Sequence, residues 1–281
     1  MCNSPEIQRF DEIDSTNAEA LRQLKQQPKE WLNTPRVIIA RSQTAGRGRR
    51  GRAWTSKPDA GLYFSLLHRF SLEPDQLQGL SLVVGLSVRA AIESLGAKPI
   101  RLKWPNDIQF EGRKLGGILL ELRQTAMGND VVIGIGVNLD LPASDAAQLA
   151  RPVTDLRQIL GCPADPNRLS AALVERLGSD IERFEREGFS AFIARWNDAD
   201  EFMNHCVCLE RGDEKIVGVS RGVDANGALL LEVEEQPGHT QLSEEAAVVS
   251  VGIDSASKSK QLLRFEGGEL SASLRPVESA R

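Results

Sequence analysis

The stretch from Arg41 to Lys57 constrains the fold more than any other part of the chain. It reads RSQTAGRGRRGRAWTSK and separates two apolar runs of strand type, Val37-Ile38-Ile39-Ala40 and Gly61-Leu62-Tyr63-Phe64-Ser65-Leu66-Leu67. Arginines and glycines in this density cannot follow those strands into a core, so the stretch is a loop. Glycine lets a backbone wrap closely round a ligand, and arginines at alternating positions offer forked donors to phosphate or carboxylate oxygens. A loop so charged is expected to stay mobile until an anion meets it. Gly46-Arg47-Gly48-Arg49-Arg50-Gly51 is a formal G-x-G-x-x-G match. However, it is not tucked straight between a strand and a helix, and Arg52-Ala53-Trp54-Thr55-Ser56-Lys57-Pro58 cannot open a helix cleanly, so the dinucleotide-binding reading fails. By itself the loop leaves open a solvated basic loop or an RNA-binding patch.

The elements around it alternate in type. Asp14-Ser15-Thr16-Asn17 offers N-cap side chains, and Ala18 to Gln26 favours helix. Leu77 to Leu95 reads as a core helix ending at Gly96, and Ile100 to Trp104 as a strand stopped by Pro105. Asp107–Phe110 and Leu115–Leu122 flank Glu111-Gly112, which predicts a hairpin, and Val131–Val137 reads as a further strand. Pro166–Glu187 carries Leu169, Leu173, Leu177, Ile181 and Phe184 at helical spacing and ends at Gly188, with a shorter helix over Phe189–Trp196. From His205 the pattern returns to short strands, with tight turns at Gly222 and Asn226-Gly227. The order predicts an α+β domain over residues 1–204 and a small all-β module over 205–281, with 234–260 as a long loop inside the module.

Bulk properties exclude several classes. A net charge of −5 argues against polyanion binding by bulk charge, and no aromatics interleave the arginines at 47–52. Cys2, Cys162, Cys206 and Cys208 are too scattered for a disulfide framework. Cys206 and Cys208 share one face of a strand and read as small residues packed in a reduced core. His68, His205 and His239 lack metal-ligand spacing, so no metal is assigned to protein side chains. Met1–Glu6 does not open a signal peptide, and Gln78, Ser81, Ser87, Arg89, Glu93 and Ser94 interrupt Leu77–Leu95 too often for a membrane span. A cytoplasmic location is expected.

Two further clusters bear on the chemistry. Lys103-Trp104-Pro105-Asn106-Asp107 ends a strand, and the predicted hairpin returns Lys114 close to Asn106 and Asp107, in front of Gly116-Gly117. A lysine so placed can set its ammonium against a phosphate, although a solvated turn lysine fits the same pattern. Gly134-Ile135-Gly136-Val137-Asn138 places closely spaced glycines in a strand, which often marks close approach of a ligand or another backbone. The chain contains no G-x-x-x-x-G-K-[ST] loop, so any ATP is bound by other means.

Taken in order, Ser15-Thr16-Asn17, Gly46 to Gly51, Lys103 to Asp107, Arg113-Lys114-Leu115-Gly116-Gly117-Ile118 and Gly134 to Asn138 resemble the motif set of bacterial biotin–protein ligases. Gly218–Asp224 with Gly227–Leu231 resembles that family's SH3-like C-terminal domain, and Leu262–Leu270 its last strands. The resemblance covers nearly the whole chain from about residue 10. It implies a mixed-sheet catalytic domain of the biotin/lipoate ligase type flanked by helices, followed by a small SH3-like β-barrel. It also implies a carbon–nitrogen bond-forming ligase that uses ATP and Mg2+ to convert biotin to biotinyl-5′-AMP and passes the acyl group to a lysine.

The acceptor implied is a biotin carboxyl carrier protein, the acetyl-CoA carboxylase subunit, and relatives that pair sheet edges leave a homodimer open. About ten residues precede the match, too few for the winged helix-turn-helix of repressor members, so no operator DNA binding is expected. Carried over position by position, the resemblance makes Lys114, Arg49 and Asp107 catalytic. Lys114 meets both the biotin carboxylate and the α-phosphate, and Asp107 orients or deprotonates the acceptor lysine. Biotin falls to Ser15, Thr16, Asn17, Gln43, Gly46, Arg47, Arg49, Trp54, Tyr63, Lys114, Gly116, Gly117, Gly134 and Gly136. The nucleotide falls to Arg49, Arg52, Trp54, Lys103, Asn106, Lys114 and Asn138. The nearest rival is a lipoate–protein ligase, which shares fold and adenylation chemistry; an RNA-binding module and an inactive ligase-like protein are more distant.

Overall fold

The computed structural model describes residues 5–26, 34–125, 128–146, 149, 151–211, 214–234, 246–253, 259–265 and 273–276. Eight residues at the N-terminus that carry no clear strand signature, Glu6–Ile13, form β1, which lies parallel to β2 (Arg36–Gln43). Between them α1 (Thr16–Gln26) starts where Ser15 Oγ accepts a bond from the Ala18 N–H. β3 (Gly61–Phe70), β7 (Gly128–Asn138), β6 (Arg113–Thr125), β5 (Asp107–Phe110) and β4 (Arg101–Lys103) continue the sheet antiparallel. The result is a mixed seven-stranded sheet in the order β1-β2-β3-β7-β6-β5-β4. The predicted hairpin is present: Glu111 and Gly112 both have positive φ (49° and 70°), the geometry of a tight two-residue turn between β5 and β6.

Alternation along the strands divides the core. Val37, Ile39, Phe64, Leu66, Ile133 and Ile135 join one large cluster with α2 (Leu80–Glu93) and α5 (Pro166–Glu187). Ile38, Leu67 and Val132 point the other way and pack against Ala20 and Leu24 of α1. α2 is shorter than its apolar pattern suggested: Pro74–Leu77 is a separate 3-10 turn, and Gly79, with φ 79°, breaks the chain before the helix begins. α5 has the expected bounds, with Asp165 capping one end and Gly188 closing the other. The short helices α3 (Ala143–Ala146) and α4 (Leu156–Leu160) line the chain after β7, and α6 (Ile193–Ala199) follows a 3-10 turn at Phe189–Phe192.

The remaining strands, β8 (Cys206–Arg211), β9 (Glu214–Val223), β10 (Leu229–Glu234), β11 (Ala246–Ile253), β12 (Ser259–Phe265) and β13 (Ser273–Pro276), form a second sheet, antiparallel throughout, in the order β11-β12-β10-β9-β8-β13. The expectation of one long loop over 234–260 is corrected here, because β11 lies inside it and pairs with β12. Its polar composition hid a short apolar run, Ala246-Ala247-Val248-Val249, among glutamates and serines. The cysteine expectation is also corrected: Cys206 and Cys162 are exposed and Cys208 half-buried, because Val207 and Leu209 take the inward face of β8. The expected last-strand residues 266–270, together with Cys2 and His239, lie outside the described residues. The two sheets meet where the Trp104 indole N–H donates to the Gly227 carbonyl at 3.1 Å.

Candidate active site

The α1 face of the first sheet loses its side chains toward one end. Gly117, Gly134 and Gly136 lie on that face, Gly117 directly opposite Gly136 in register. A methyl group on Gly136 would sit 2.7 Å from the Trp54 ring, and one on Gly117 would sit 3.1 Å from Lys114 Nζ. A methyl group on Gly134 would strike the Asn17 amide. The glycines therefore make a floor of bare backbone, with Trp54 lying across it and Lys114 at its edge.

Trp54 comes from the Gly/Arg loop, which is folded rather than open. Arg47 bridges to Ala53, Arg49–Gly51 forms a 3-10 turn with Arg50 at φ 56°, and Trp54 N–H donates to Gly46 O at 2.9 Å. The expectation that its charge keeps the loop unpacked until an anion arrives is corrected, because two arginines find partners on the sheet. Arg47 pairs with Glu121 at 2.7 Å, and Arg49 donates to Asn106 Oδ1 at 2.9 Å. Asn106 in turn donates to the Ile118 carbonyl at 2.8 Å, which fixes its orientation. Arg49 has a neutral partner and is crowded; burial, with Arg50 adding repulsion, lowers its pKa to about 10. The Trp54 indole N–H is buried without a hydrogen-bond partner.

Lys114 is buried on β6, so the solvated-turn alternative does not apply. Its ammonium forms a close ion pair with Asp107, lies 5.5 Å from the Trp54 ring centre, and has a pKa lowered to about 8. Burial is the main cause; Asp107 opposes it, while Arg151 and Lys103 add to it by repulsion. The backbone of Lys114 is also held, since its N–H donates to Pro152 O and its carbonyl accepts from Thr154 N, both at 3.0 Å.

At the other end, Gln43 Oε1 accepts from Thr16 N–H at 2.8 Å and lies 3.2 Å from Thr16 Oγ1, and Gln43 Nε2 donates to Ser56 Oγ at 3.1 Å. The Ser65 hydroxyl is 2.7 Å from Thr16 Oγ1 and 2.6 Å from Asn17 Oδ1, and Asn17 Nδ2 donates to Glu121 Oε2 at 2.8 Å. Asn17 is thus a buried brace with its amide committed to protein. Ser15 is buried beside it. Tyr63 lies on the same face as Ser65 and exchanges hydrogen bonds with the Lys57 backbone (3.1 and 3.2 Å); burial raises its pKa.

The sequence-predicted residues largely converge, with differences in what they touch. Gly46 packs against Trp54 O and Ser56 Oγ, and Gly116 lies against the Gly136 carbonyl. Asn138 donates its amide to Thr154 O at 2.9 Å, tying the chain after α3 to the sheet. Lys103 extends beside Phe202, 5.8 Å from the ring centre, and Arg52 is exposed at the foot of the loop hairpin. Sequence reading missed Ser56, Ser65, Glu121 and Arg151. Ser65 and Glu121 were signalled, each being a polar residue inside an apolar strand run; Ser56 and Arg151 carried no signal. A cavity of about 400 Å³, bordered by Arg49, Asn106, Ile118 and Leu120, leads from this cluster to the Asn226-Gly227 turn of the second sheet.

The chain that carries this glycine-floored site has counterparts among known proteins. Residues 10–138 match the sequence profile of the Biotin/lipoate A/B protein ligase family. The chain is 40% identical over 221 residues to the bifunctional ligase/repressor BirA of Escherichia coli, covering 78% of this chain and 67% of that one. It is 32% identical to the biotin–[acetyl-CoA-carboxylase] ligase of Paracoccus denitrificans over 78% of this chain and 90% of the relative. The chain belongs to the biotin/lipoate ligase family. Among solved structures, the biotin protein ligase of Aquifex aeolicus in complex with biotin and ATP superimposes with a TM-score of 0.71 at 28% identity, covering 96% of this chain and 99% of that one. The superposition takes in residues of both sheets, whereas the family profile matches residues 10–138.

Proposed function

We propose that this family member activates biotin with ATP and transfers it to a lysine of a biotin carboxyl carrier domain, the acceptor of acetyl-CoA carboxylase. The observation that carries the reading is the bare glycine floor under Trp54 with the Lys114 ammonium at its edge. Such a floor admits a slim apolar ligand once the Trp54 ring moves off Gly136, and such a lysine meets the carboxylate at its end. Gln43, Thr16 and Ser15 supply polar groups at the far end for the ureido ring.

In the first half-reaction a biotin carboxylate oxygen attacks the α-phosphorus, and the bond to the β-phosphate oxygen breaks, its electron pair leaving with pyrophosphate. Two anions must approach, so cations have to offset their repulsion. Lys114 does this by exchanging Asp107 for the reacting oxygens, and Arg49 and Arg52 bind the phosphates. Asn106 and Asn138 face the adenylate. In the second half-reaction the acceptor amine attacks the acyl carbon and AMP leaves; Asp107 is the carboxylate placed to orient or deprotonate that amine.

Magnesium would be held mostly by the triphosphate and water and would supply positive charge against the phosphates. Asp107 is engaged by cations, and among the described residues no group of three or more His, Cys, Asp or Glu could hold a metal. The second sheet is assigned as the SH3-like domain, with the boundary near residue 205. β6 beyond Gly117 has no partner on its β5 side among the described residues, and this edge would pair with a second copy in a homodimer. Neither DNA nor a membrane enters the reading: net charge is −5, and no described helix is long and apolar enough to cross a membrane. The cytoplasm is the assigned location.

The test is to incubate the protein with α-labelled ATP, magnesium and either biotin or lipoate, and to identify the adenylate by mass. Biotinyl-adenylate alone is expected; lipoyl-adenylate would move the chain to the sister branch, and no adenylate with either acid would refute the reading.

A further inference from the structure

Asp107 does not serve Lys114 alone. Its Oδ1 pairs with Lys114, and its Oδ2 is approached by Arg151 Nη1 at 3.5 Å. Arg49 and Lys103 are the other cations close by: Asp107 acts on the charge of Arg49, and Lys103 on that of Lys114. Among the described residues, one carboxylate therefore stands among Lys114, Arg151 and Arg49. Such an excess of positive charge destabilises a partly buried site unless an anion completes it.

The backbone sets Arg151 in this place. Pro152 O accepts from Lys114 N–H and Thr154 N–H donates to Lys114 O, so Val153 runs alongside Lys114 as a parallel bridge. Thr154 O is in turn held by the Asn138 amide. Arg151 stands two residues before that bridge, at the mouth of the site, and its side chain is 47% exposed. Its contact with Asp107 is a single point at the limit of hydrogen-bond range, so it gives up little by turning to a better acceptor. A guanidinium is the cation whose fork fits phosphate oxygens two at a time.

We propose that Arg151 is a catalytic residue that binds the phosphate chain of the nucleotide beside Lys114, countering the charge that collects on the departing pyrophosphate. The bond that breaks is between the α-phosphorus and its bridging oxygen; the electron pair moves to the β-phosphate, and Arg151 receives that charge at the open side while Lys114 holds the α-phosphate at the buried side. Asp107 is the resting partner of both cations. The proposal rests on the adenylation reading above.

Among the described residues, the groups facing the Lys114 ammonium are Asp107 on β5, Lys103 on β4, the Trp54 ring from the loop, and Arg151. Removing Arg151 removes one repulsion, so the alkaline limb of the exchange rate, where Lys114 loses its proton, moves to higher pH.

Biotin-dependent exchange of labelled pyrophosphate into ATP is the test, run on the whole chain as wild type, Arg151→Ala and Arg151→Lys. Arg151→Ala is expected to raise the KM for ATP about tenfold, the worth of one charge-assisted bond, with the KM for biotin within about twofold and the alkaline limb shifted upward. Arg151→Lys, which keeps the charge without the fork, is expected to fall between the two. Arg151→Ala with both kcat and the KM for ATP unchanged overturns the proposal, as does a fall in kcat that Arg151→Lys does not partly restore and that leaves the KM for ATP and the alkaline limb unmoved, the mark of a structural role. Wild type without biotin-dependent exchange overturns the adenylation reading instead, so the two failures are distinct.

Discussion

On the proposed mechanism, Lys114 concentrates the chemistry of this site in one titration. Its ammonium is the form that attracts two anions, and burial lowers its pKa to about 8 from the usual lysine value of 10.5. Because the pKa is lowered, the charged form is lost as pH rises through about 8. The adenylation rate is therefore expected to fall as pH rises through about 8, well before an exposed lysine would lose its proton, measured as kcat/KM in pyrophosphate exchange, which reports the free enzyme. Lys114→Ala should cost at least about a hundredfold in adenylate formation while leaving the fold intact, read by single-turnover assay beside circular dichroism. An adenylation rate near wild type in that variant would remove Lys114 from the mechanism. Lys114, Arg49 and Asn106 could be named from their motif spacing. Arg151 could not, because its role comes from a backbone bridge between residues 39 positions apart, Lys114 and Val153.

At the scale of elements, the floor and the loop depend on each other. Trp54 reaches the sheet only because Gly117 and Gly136 have no side chains, and the loop is pinned by Glu121, whose carboxylate receives both Arg47 and Asn17. Gly136→Ala puts a methyl group 2.7 Å from the indole, against a broad rigid ring, and is expected to raise the KM for biotin about tenfold or more and to cost about 1–3 kcal/mol of stability. Gly117→Ala meets the movable end of Lys114 and should have a smaller effect, so isothermal titration of biotin into the two variants should rank them in that order. The strands, the hairpin and α5 were legible because period-two and period-3.6 apolar patterns and turn residues act locally. β1 and β11 were not, since their pattern is weak and their pairing with β2 and β12 is long-range.

Over the whole molecule, the junction between the sheets holds a buried acid. Asp200 follows α6 and bridges to Leu102 of β4; its Oδ1 accepts from Phe202 N–H at 3.0 Å, while its Oδ2 is buried without a partner. Burial, with Glu201 adding to it, raises its pKa to about 6, against the Phe202 N–H, His205 and Arg101. A raised carboxyl pKa means that folding stability is lost as pH rises from the unfolded value near 4 through 6. Asp200→Asn is therefore expected to raise Tm at pH 8, by up to about 2 kcal/mol of stability, and to leave it nearly unchanged at pH 4. A Tm gain of equal size at both pH values would assign the effect to packing instead. The open edge of β6 makes a separate prediction: light scattering should detect a dimer, and Leu122→Lys, which places a charge on that 48% exposed position, should shift it toward monomer.

The amino-acid sequence by itself determined the order of most strands and helices, β1 and β11 excepted, the loop between β2 and β3, and most of the residues that gather at the site, because these follow from side-chain size, polarity and short-range spacing. Only the tertiary structure decided what those residues do with their hydrogen bonds. Asn17 became a brace, Arg47 and Arg49 found partners on the sheet, and Lys114 came to share Asp107 with Arg151. The physical reason is that burial and pairing are properties of the surroundings a side chain meets across the fold, and those surroundings come from segments far apart in the chain.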